Sequence, residues 1–267
     1  MRLIDCCMYF DEDLMLDIRL NTLKDSVDKF VIAEATRDHS GKEKKLNFNL
    51  NNFSKFKNKI KYIVADYKKN INFKNHAGGE SLVEQHQRNS LIEGIKDARL
   101  DDLIILSDSD EIPDMTKLNQ IKTGSKFIAF SQMMFMYKLN LKNLSENNWI
   151  GSKITLKKNI STMQSLRDLK FKKYPFWRID KKNLQVIQGG WHFSFLQSPQ
   201  DIKTKIQSFS HGEFNTENIV DQENIKEKIS QGVDIFNRGL QLNRIEIDSR
   251  FPNFILKNKD KLSDWIV

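Results

Sequence analysis

The fold of this chain is decided by the stretch Leu103-Ile104-Ile105-Leu106-Ser107-Asp108-Ser109-Asp110-Glu111-Ile112-Pro113. Its first four residues are apolar without polar alternation, which predicts a strand buried on both faces. Acidic residues follow where that strand should end. Because side chains two apart in extended backbone point the same way, Asp108 and Asp110 can reach one cation together. Open α/β sheets bind ligands at the carboxyl ends of their strands, so the stretch predicts a metal site in outline.

Other structures could account for the same acidic residues. An Asp-x-Asp after a strand is often only a solvated turn. A calcium loop of the EF-hand type, counted from Asp108, needs Gly at its sixth position and Glu at its twelfth, where this chain has Pro113 and Asn119. A phosphatase of the haloacid dehalogenase type needs Thr or Val where this chain has Ile112. The solvated turn and the metal site therefore stay open, and the two specific alternatives fail.

The N-terminal part alternates predicted strands with a predicted helix. Apolar runs at residues 3–8, 30–33 and 60–64 predict three strands, and residues 16–27 place apolar side chains at helical spacing between the first two. A strand, a helix and a strand in succession imply a parallel pair with a right-handed crossover. We therefore expect an α/β fold with a mostly parallel central sheet flanked by helices.

A second helix is predicted over residues 81–98, directly before the acidic stretch. Ser81 and Glu84 form a capping box at its start. Arg88 on this helix has two interpretations. It either pairs with Glu84 one turn earlier, or it meets a phosphate bidentately where a polar face that includes Asn89 looks into a ligand crevice.

The second half is predicted to add a core strand and a loop close to the ligand. Residues 127–137 are apolar and aromatic, which predicts a long strand or a strand pair. Gly189 and Gly190 would let the backbone approach a ligand, and Trp191 would offer a platform for the apolar face of a sugar. Core packing explains these residues equally well. Further helices are predicted over residues 198–210 and in the C-terminal tail.

Composition limits the classes of protein and of partner. The 267 residues suffice for one large α/β domain, and the net charge of +8 is spread along the chain as Lys. A solvated surface explains this charge, which would also suit an anionic substrate or an anionic membrane surface. No zinc-finger spacing or RNA-binding signature occurs in the sequence, so no nucleic-acid partner is expected.

Cysteine use and hydropathy suggest where the protein works. The only cysteines, Cys6 and Cys7, are adjacent and cannot build a disulfide framework, which fits a reducing compartment. The sequence contains neither a signal-peptide core nor an apolar run of about 18 residues. We therefore expect a cytoplasmic protein, with peripheral contact to an anionic membrane as a further expectation.

Several blocks of sequence together carry a family resemblance. In order along the chain they are Asp5-Cys6 with Phe10, Glu12 and Arg19-Leu20; Phe30-Val31-Ile32-Ala33-Glu34; Gly41-Lys42; Gln87-Arg88-Asn89; Asp108-Ser109-Asp110-Glu111-Ile112-Pro113; Gly190-Trp191-His192-Phe193-Ser194; and His211-Gly212-Glu213-Phe214-Asn215. With these blocks the chain resembles glycosyltransferase family 17. The best-known members of that family are β-1,4-mannosyl-glycoprotein β-1,4-N-acetylglucosaminyltransferases.

The resemblance implies a fold and a reaction. It implies a single catalytic domain of the GT-A type over residues 1–267, with a Rossmann-like nucleotide-sugar half at 1–115, an acceptor half at 116–215 and a helical extension at 216–267. It also implies inversion at the anomeric carbon, a UDP-sugar donor, which is UDP-N-acetylglucosamine in the known members, and Mn²⁺ or Mg²⁺ as cofactor. The acceptor would be a glycan or a lipid-linked saccharide.

Site roles follow from the resemblance together with the chemistry of diphosphate departure. Asp110 and Asp108 would hold the cation, with His211 as a third ligand unless it only interacts with the end of the preceding helix. The residues expected to bind the donor are Glu34, Arg37, Lys42, Arg88, Asn89, Asp108 and Trp191. A catalytic base on the acceptor side is expected at Glu213, with His192 as the competitor.

Two other classes of function remain open from the sequence. A metal-dependent phosphoryl or nucleotidyl transferase would use the same carboxylates, but it would leave Trp191 and the glycines before it without a role. A non-catalytic sugar-binding protein would keep the aromatic residues but would not need paired acids after a buried strand.

Overall fold

The computed structural model of the protein describes residues 1–67, 82–146, 148–172, 177, 183–208 and 221–267. Within these residues it is a mixed α/β structure built on one central sheet of ten strands. The predicted capping residue Ser81 lies outside the described residues.

The first part of the sheet is parallel, as the sequence predicts. Its strands are β1 (Leu3–Tyr9), β2 (Lys29–Ala35), β3 (Ile60–Ala65) and β4 (Leu103–Ser107). β1 pairs in parallel with both β2 and β4, and β2 pairs in parallel with β3. The carboxyl ends of β1, β2 and β4 therefore meet at one edge of the sheet.

The second part of the sheet overturns the prediction of a mostly parallel sheet. It contains β5 (Glu111–Ile112), β6 (Phe127–Met136), β7 (Leu141–Asn143), β8 (Trp149–Leu156), β9 (Leu184–Ser194) and β10 (Leu242–Arg244). β8 runs antiparallel between β4 and β6, β7 runs antiparallel to both β6 and β10, and β5 runs antiparallel to β9, whereas β9 is parallel to β6. The sheet is mixed because short connections return the chain beside β6 without a crossover helix.

The described α-helices flank this sheet and extend beyond it. They are α1 (Asp13–Leu23), α2 (Leu82–Ser90), α3 (Met163–Arg167), α4 (Pro199–Ser208), α5 (Gln222–Gln231) and α6 (Asn253–Lys257). The predicted helix over 81–98 is shorter than expected, because α2 continues as a 3-10 helix at Leu91–Ile95. No described helix is long and apolar enough to cross a bilayer.

Both faces of β4 are covered, which explains its uninterrupted apolar run. Ile105 packs with Leu16 and Leu20 of α1 on one face. Ile104 and Leu106 point to the other face and pack with a separate cluster that includes Leu91, Ile95 and Met163. Burial of each of these side chains stabilises the fold by roughly 1.5–3 kcal/mol, so β4 and the acidic residues after it are firmly fixed.

Candidate functional site

The candidate site is a cavity at the carboxyl ends of β1 and β4. It has a volume of about 180 Å³ and is lined by Met8, Tyr9, Phe10, Glu12, His39, Glu84, Gln87, Asp108, Ser109, Asp110 and His192. The acidic loop, residues 108–111, leaves β4 at this edge. The side chains of Asp108 and Asp110 remain 28% and 21% exposed, so both carboxylates can meet a ligand.

A buried arginine fixes the backbone of the acidic loop. Arg19 of α1 donates through Nε and Nη2 to the two carboxylate oxygens of Asp5 at 2.7 and 2.6 Å. Its Nη1 donates to the carbonyl oxygens of Glu111 at 2.6 Å and Asp108 at 3.2 Å. The side chains of Arg19 and Asp5 are both fully buried. The fork of the guanidinium thereby joins β1 and α1 to the loop.

A second arginine holds the side chains of the loop. Arg167, at the end of α3, donates through Nη2 to Oδ2 of Asp108 at 2.6 Å and through Nη1 to Oε1 and Oε2 of Glu111 at 3.1 and 2.9 Å. Glu111 also accepts from Trp149 Nε1 at 2.7 Å and from the Asp108 amide at 3.2 Å. The fully buried Glu111 therefore organises the loop and does not face the cavity.

Arg88 brings a second guanidinium to Asp108. Its Nη2 lies 2.7 Å from Glu84 and 3.4 Å from Oδ1 of Asp108, and its Nη1 donates to Gln164 at 2.6 Å. The ion pair with Glu84 that the sequence suggested is present. Burial would raise the pKa of Asp108, but the charges of Arg167 and Arg88 outweigh it and hold that pKa below its ordinary value.

His192 joins the site because β9 pairs with β5. Glu111 stands opposite His192 in this antiparallel pair, and the Phe193 amide donates to the Asp110 carbonyl at 3.0 Å. His192 Nε2 then lies 3.4 Å from Oδ2 of Asp110, and the imidazole packs against the ring of Trp149. Burial would lower the pKa of His192, but Asp110 and the other acids of the loop raise it.

The side chains that line the cavity provide part of a binding site for a divalent cation. Within the described residues, no group of three or more His, Cys, Asp or Glu side chains is arranged to hold a metal ion. Two cavity-facing carboxylates nevertheless suit Mg²⁺ or Mn²⁺, which proteins often bind through one or two carboxylates while substrate phosphates and water complete the octahedron. His211, the expected third ligand, and Glu213, the expected base, both lie outside the described residues.

Trp191 lies away from the cavity that His192 lines, because successive residues of β9 point to opposite faces. Its ring is buried in the main core, and its Nε1 donates to the Arg250 carbonyl at 2.9 Å. Gly190 has a φ of +110°, and a Cβ there would lie 2.5 Å from the Ile112 carbonyl oxygen. The close approach expected of this glycine is therefore to β5, and Trp191 shows the packing role that the sequence left open.

Glu34 lies at the expected edge, at the end of β2, but its carboxylate is occupied by the protein. It is fully buried and accepts hydrogen bonds from the amides of Asn47 and Phe48 at 2.7 and 3.0 Å and from Tyr62 Oη at 2.8 Å. Lys44 pairs with the same carboxylate. Contact with a ribose or a base would require some of these bonds to break.

The remaining expected donor ligands lie around the cavity without lining it. Arg37 donates to the Gly41 carbonyl at 2.9 Å and pairs with Glu43, and Lys42 is exposed on the same loop. Asn89 accepts from the Gln164 amide at 2.9 Å and so joins α2 to α3. Their predicted contacts with a donor stay predictions.

Sequence reasoning missed Arg167 and Trp149 and gave Arg19 no role of its own. Arg19 does carry a signal, because it interrupts the apolar face of a helix while Asp5 interrupts a buried strand, and opposite charges in two buried elements predict a pair. Arg167 and Trp149 belong to no motif. Only the antiparallel return of β8 brings them to the loop.

Comparison with known proteins identifies the family. The model of glycosyltransferase family 17 matches residues 1–239, which is most of the chain. The chain therefore belongs to glycosyltransferase family 17, and the resemblance seen in its motifs is confirmed. The protein is a glycosyltransferase. No curated protein matches the chain significantly.

Several solved structures are distantly similar to the chain. A 2-C-methyl-D-erythritol 4-phosphate cytidylyltransferase from Francisella tularensis is 9% identical, with a TM-score of 0.36 over 71% of this chain and 91% of that one. An inositol-1-phosphate CTP transferase from T. maritima is 10% identical, with a TM-score of 0.35 over 85% and 97%. An active-site mutant of LgtC is 12% identical, with a TM-score of 0.33 over 68% and 72%. These scores are too low to assign a fold or a function.

Proposed function

We propose that this chain is an inverting, metal-dependent glycosyltransferase of the GT-A type. The donor is a UDP-sugar, UDP-N-acetylglucosamine in this proposal, and the acceptor is a glycan or a lipid-linked saccharide. One observation carries the proposal: in a chain of family 17, an acidic loop follows the buried strand β4 and directs Asp108 and Asp110 into a cavity that His192 also lines.

The chemistry of donor cleavage explains why carboxylates stand at this edge. Departure of the nucleoside diphosphate builds negative charge, and a divalent cation bound there would neutralise that charge. Asp110 would hold the cation, with Asp108 next to it, and oxygen atoms of the diphosphate would complete the coordination. Without a cation, the two carboxylates would repel the diphosphate.

The acceptor side requires a different group. A single in-line displacement inverts the anomeric carbon, and a base must remove the proton of the acceptor hydroxyl as the new bond forms. We assign this role to Glu213 and keep His192 as the alternative. His192 contacts Asp110, so its imidazole would lie on the donor side of the proposed reaction, and this supports Glu213.

The compartment and the acceptor belong to the same proposal. Cys6 and Cys7 are free thiols buried in β1, as expected of a protein that works in a reducing compartment. We propose that the enzyme acts in the cytoplasm on a lipid-linked or surface-polysaccharide precursor. The net charge of +8 would favour contact with an anionic membrane that carries such an acceptor.

A nucleotide-sugar panel tests the proposed function. The full chain is incubated with each of several UDP-sugars, with Mn²⁺ or with EDTA, and free UDP is measured. Slow Mn²⁺-dependent release of UDP from UDP-N-acetylglucosamine is expected. Release of UDP from another UDP-sugar alone would show that the proposed donor is wrong. Release of pyrophosphate from UTP and a sugar phosphate would indicate a nucleotidyl transferase. Binding of a sugar without any release would indicate a sugar-binding protein.

A further inference from the structure

We propose that Arg19 and Arg167 are positioning residues that hold the acidic loop by its backbone and by its side chains, respectively. In this arrangement Asp108 is the point at which the loop is held, and Asp110 alone of the two aspartates contacts a donor-bound cation directly. The proposal deepens the proposed function and rests on it for the cation. It assigns two residues outside the acidic motif to the organisation of the site.

The backbone is held by a guanidinium with little freedom to move. Arg19 uses three of its nitrogen atoms, two on the carboxylate of Asp5 and one on loop carbonyls. A planar fork can satisfy this set at once, whereas the single ammonium group of lysine cannot. Because Arg19 and Asp5 are fully buried, water cannot replace a lost bond without rearrangement. The carbonyl of Glu111 and that of Asp108 are thereby fixed relative to β1.

The side chains are held by Arg167, which the sheet in turn fixes. Lys153 of β8 donates to the Arg167 carbonyl and to the Leu169 carbonyl, the latter at 3.0 Å, and so anchors the end of α3. From there the guanidinium reaches Asp108 and Glu111 together. The contacts form a continuous path from β8 to the loop.

The two aspartates consequently face different surroundings. Each oxygen of Asp108 lies close to a guanidinium, Oδ2 to Arg167 at 2.6 Å and Oδ1 to Arg88 at 3.4 Å. A divalent cation bound directly to this carboxylate would be brought near two fixed positive charges. Among the residues that the structure describes, Asp110 instead faces the imidazole of His192. The charge distribution thus favours Asp110 as the direct ligand and Asp108 as the anchor for the arginines.

A double-mutant cycle on UDP binding tests this division of roles. UDP affinity is measured by calorimetry with Mn²⁺ and with EDTA for Asp110→Asn, Asp108→Asn, Arg167→Lys and the Asp108→Asn/Arg167→Lys double variant. For Asp110→Asn the ratio of the two affinities should fall to about one. The other variants should bind UDP roughly tenfold more weakly with Mn²⁺, but their affinity with Mn²⁺ should stay well above their affinity with EDTA. The UDP affinity of the double variant should lie within about twofold of that of the weaker single variant.

Hydrogen exchange tests the positioning role without any ligand. Arg19→Lys and Arg167→Lys should each speed exchange of the Glu111 amide, which donates to the Asp108 carbonyl at 3.1 Å, by roughly tenfold or more. Arg238→Lys is the matched control, because it breaks an equivalent fork on the buried Asp234 elsewhere in the fold. That control should leave exchange in residues 108–111 unchanged.

The outcomes separate the inference from the proposed function. Equal UDP affinity with Mn²⁺ and EDTA in the wild-type protein would overturn the proposed function and with it the role of Asp110, and hydrogen exchange would then decide the positioning role alone. Metal-dependent binding that Asp108→Asn abolishes, while Arg167→Lys preserves it in full, would make Asp108 a direct ligand and overturn the inference. If the Glu111 amide exchanged as slowly in Arg167→Lys as in Arg238→Lys, the positioning role of Arg167 would be overturned.

Discussion

His192 turns its Nε2 toward Oδ2 of Asp110, at 3.4 Å, and keeps a buried Nδ1 for which the described residues offer no hydrogen-bond partner. Burial would lower the pKa of His192, but the charges of Asp110 and of the neighbouring acids raise it. The contact with Asp110 favours a role for His192 beside the donor.

Replacement of His192 distinguishes that role from a role as catalytic base. His192→Asn removes the imidazole ring while keeping a polar side chain. Because the imidazole contacts Asp110, we expect UDP affinity measured with Mn²⁺ to fall together with turnover, by roughly tenfold or more in each. Calorimetry and a UDP-release assay on the same preparation provide the two values. A variant that loses turnover but binds UDP normally would return His192 to the role of base.

Gly190 should tolerate no side chain, because it combines a left-handed backbone with a close neighbour. In Gly190→Ala the new Cβ would stand 2.5 Å from the Ile112 carbonyl oxygen and 3.0 Å from Pro113 Cα, both backbone atoms. We expect the free energy of unfolding in urea to fall by roughly 2–4 kcal/mol. Gly124→Ala is the matched control, since φ is +89° there but no atom lies within 4 Å of the new Cβ. A loss of about 1 kcal/mol is expected for the control, and equal losses would refute the contact argument.

Much of the parallel part of the fold could be predicted from sequence, because each element there carries its own local signal. The apolar run of β4 and the acids after it lie where the pattern predicts. β8 gave no such signal. Its residues, from Trp149 to Leu156, alternate apolar and polar side chains irregularly, and the buried Lys153 donates to carbonyls at the end of α3 and just after it. β6 lies where its apolar run predicts, but the antiparallel strands beside it were not predicted.

The site was predictable to the extent that its residues are adjacent in sequence. Asp108 and Asp110 are two residues apart, so their closeness follows from the sequence, although they lie in a turn after β4 and not in the extended backbone that the sequence predicted. Arg167 reaches Asp108 across 59 positions, and no sequence pattern predicts that contact. Trp191 and His192 show how adjacency can mislead. Both belong to one motif, and the sequence predicted both as site residues. Because side chains alternate along β9, only His192 lines the cavity, and Trp191 packs in the core.

Lys153 should make the free energy of unfolding depend on pH in the alkaline range. Burial, assisted by the charge of Arg167, lowers the pKa of its amine to about 8 from an ordinary value of 10.5. Between about pH 8 and pH 10.5 the unfolded chain keeps a proton on Lys153 that the folded chain has lost. The contribution of Lys153 to the free energy of unfolding therefore rises with pH in this range. Below about pH 8 both states are protonated, and the full penalty of the buried charge remains. The rise should amount to at most roughly 3 kcal/mol.

The comparison with Lys153→Met isolates this effect from other groups. The buried thiol of Cys7, with its pKa raised to about 12, changes stability in the opposite direction at high pH, and it does so in both proteins. Urea unfolding is measured for both proteins from pH 7.5 to pH 10.5, a range set by the values of about 8 and 10.5. The stability of the wild-type protein relative to the variant should increase across this range. A constant difference would mean that Lys153 titrates normally in the folded state.

The last prediction concerns the catalytic base, for which inversion makes a demand that the acidic loop cannot meet. Asp108 and Glu111 are held by Arg167, and Asp110 faces His192. In the proposed reaction these acids would belong to the donor side. A base on the acceptor side must come from elsewhere, and we assign it to Glu213.

Glu213→Gln preserves the size of the side chain and removes its basicity. Loss of a general base should lower turnover by roughly 10²- to 10⁴-fold and leave UDP affinity almost intact, because a base on the acceptor side would not contact the donor. Turnover is measured by transfer to the acceptor, or by UDP release where the acceptor is water, and affinity by calorimetry with Mn²⁺. Glu146→Gln, which alters an exposed acid before β8, is the control and should keep both values. Full transfer activity in Glu213→Gln, or a parallel loss of UDP binding, would exclude Glu213 as the base.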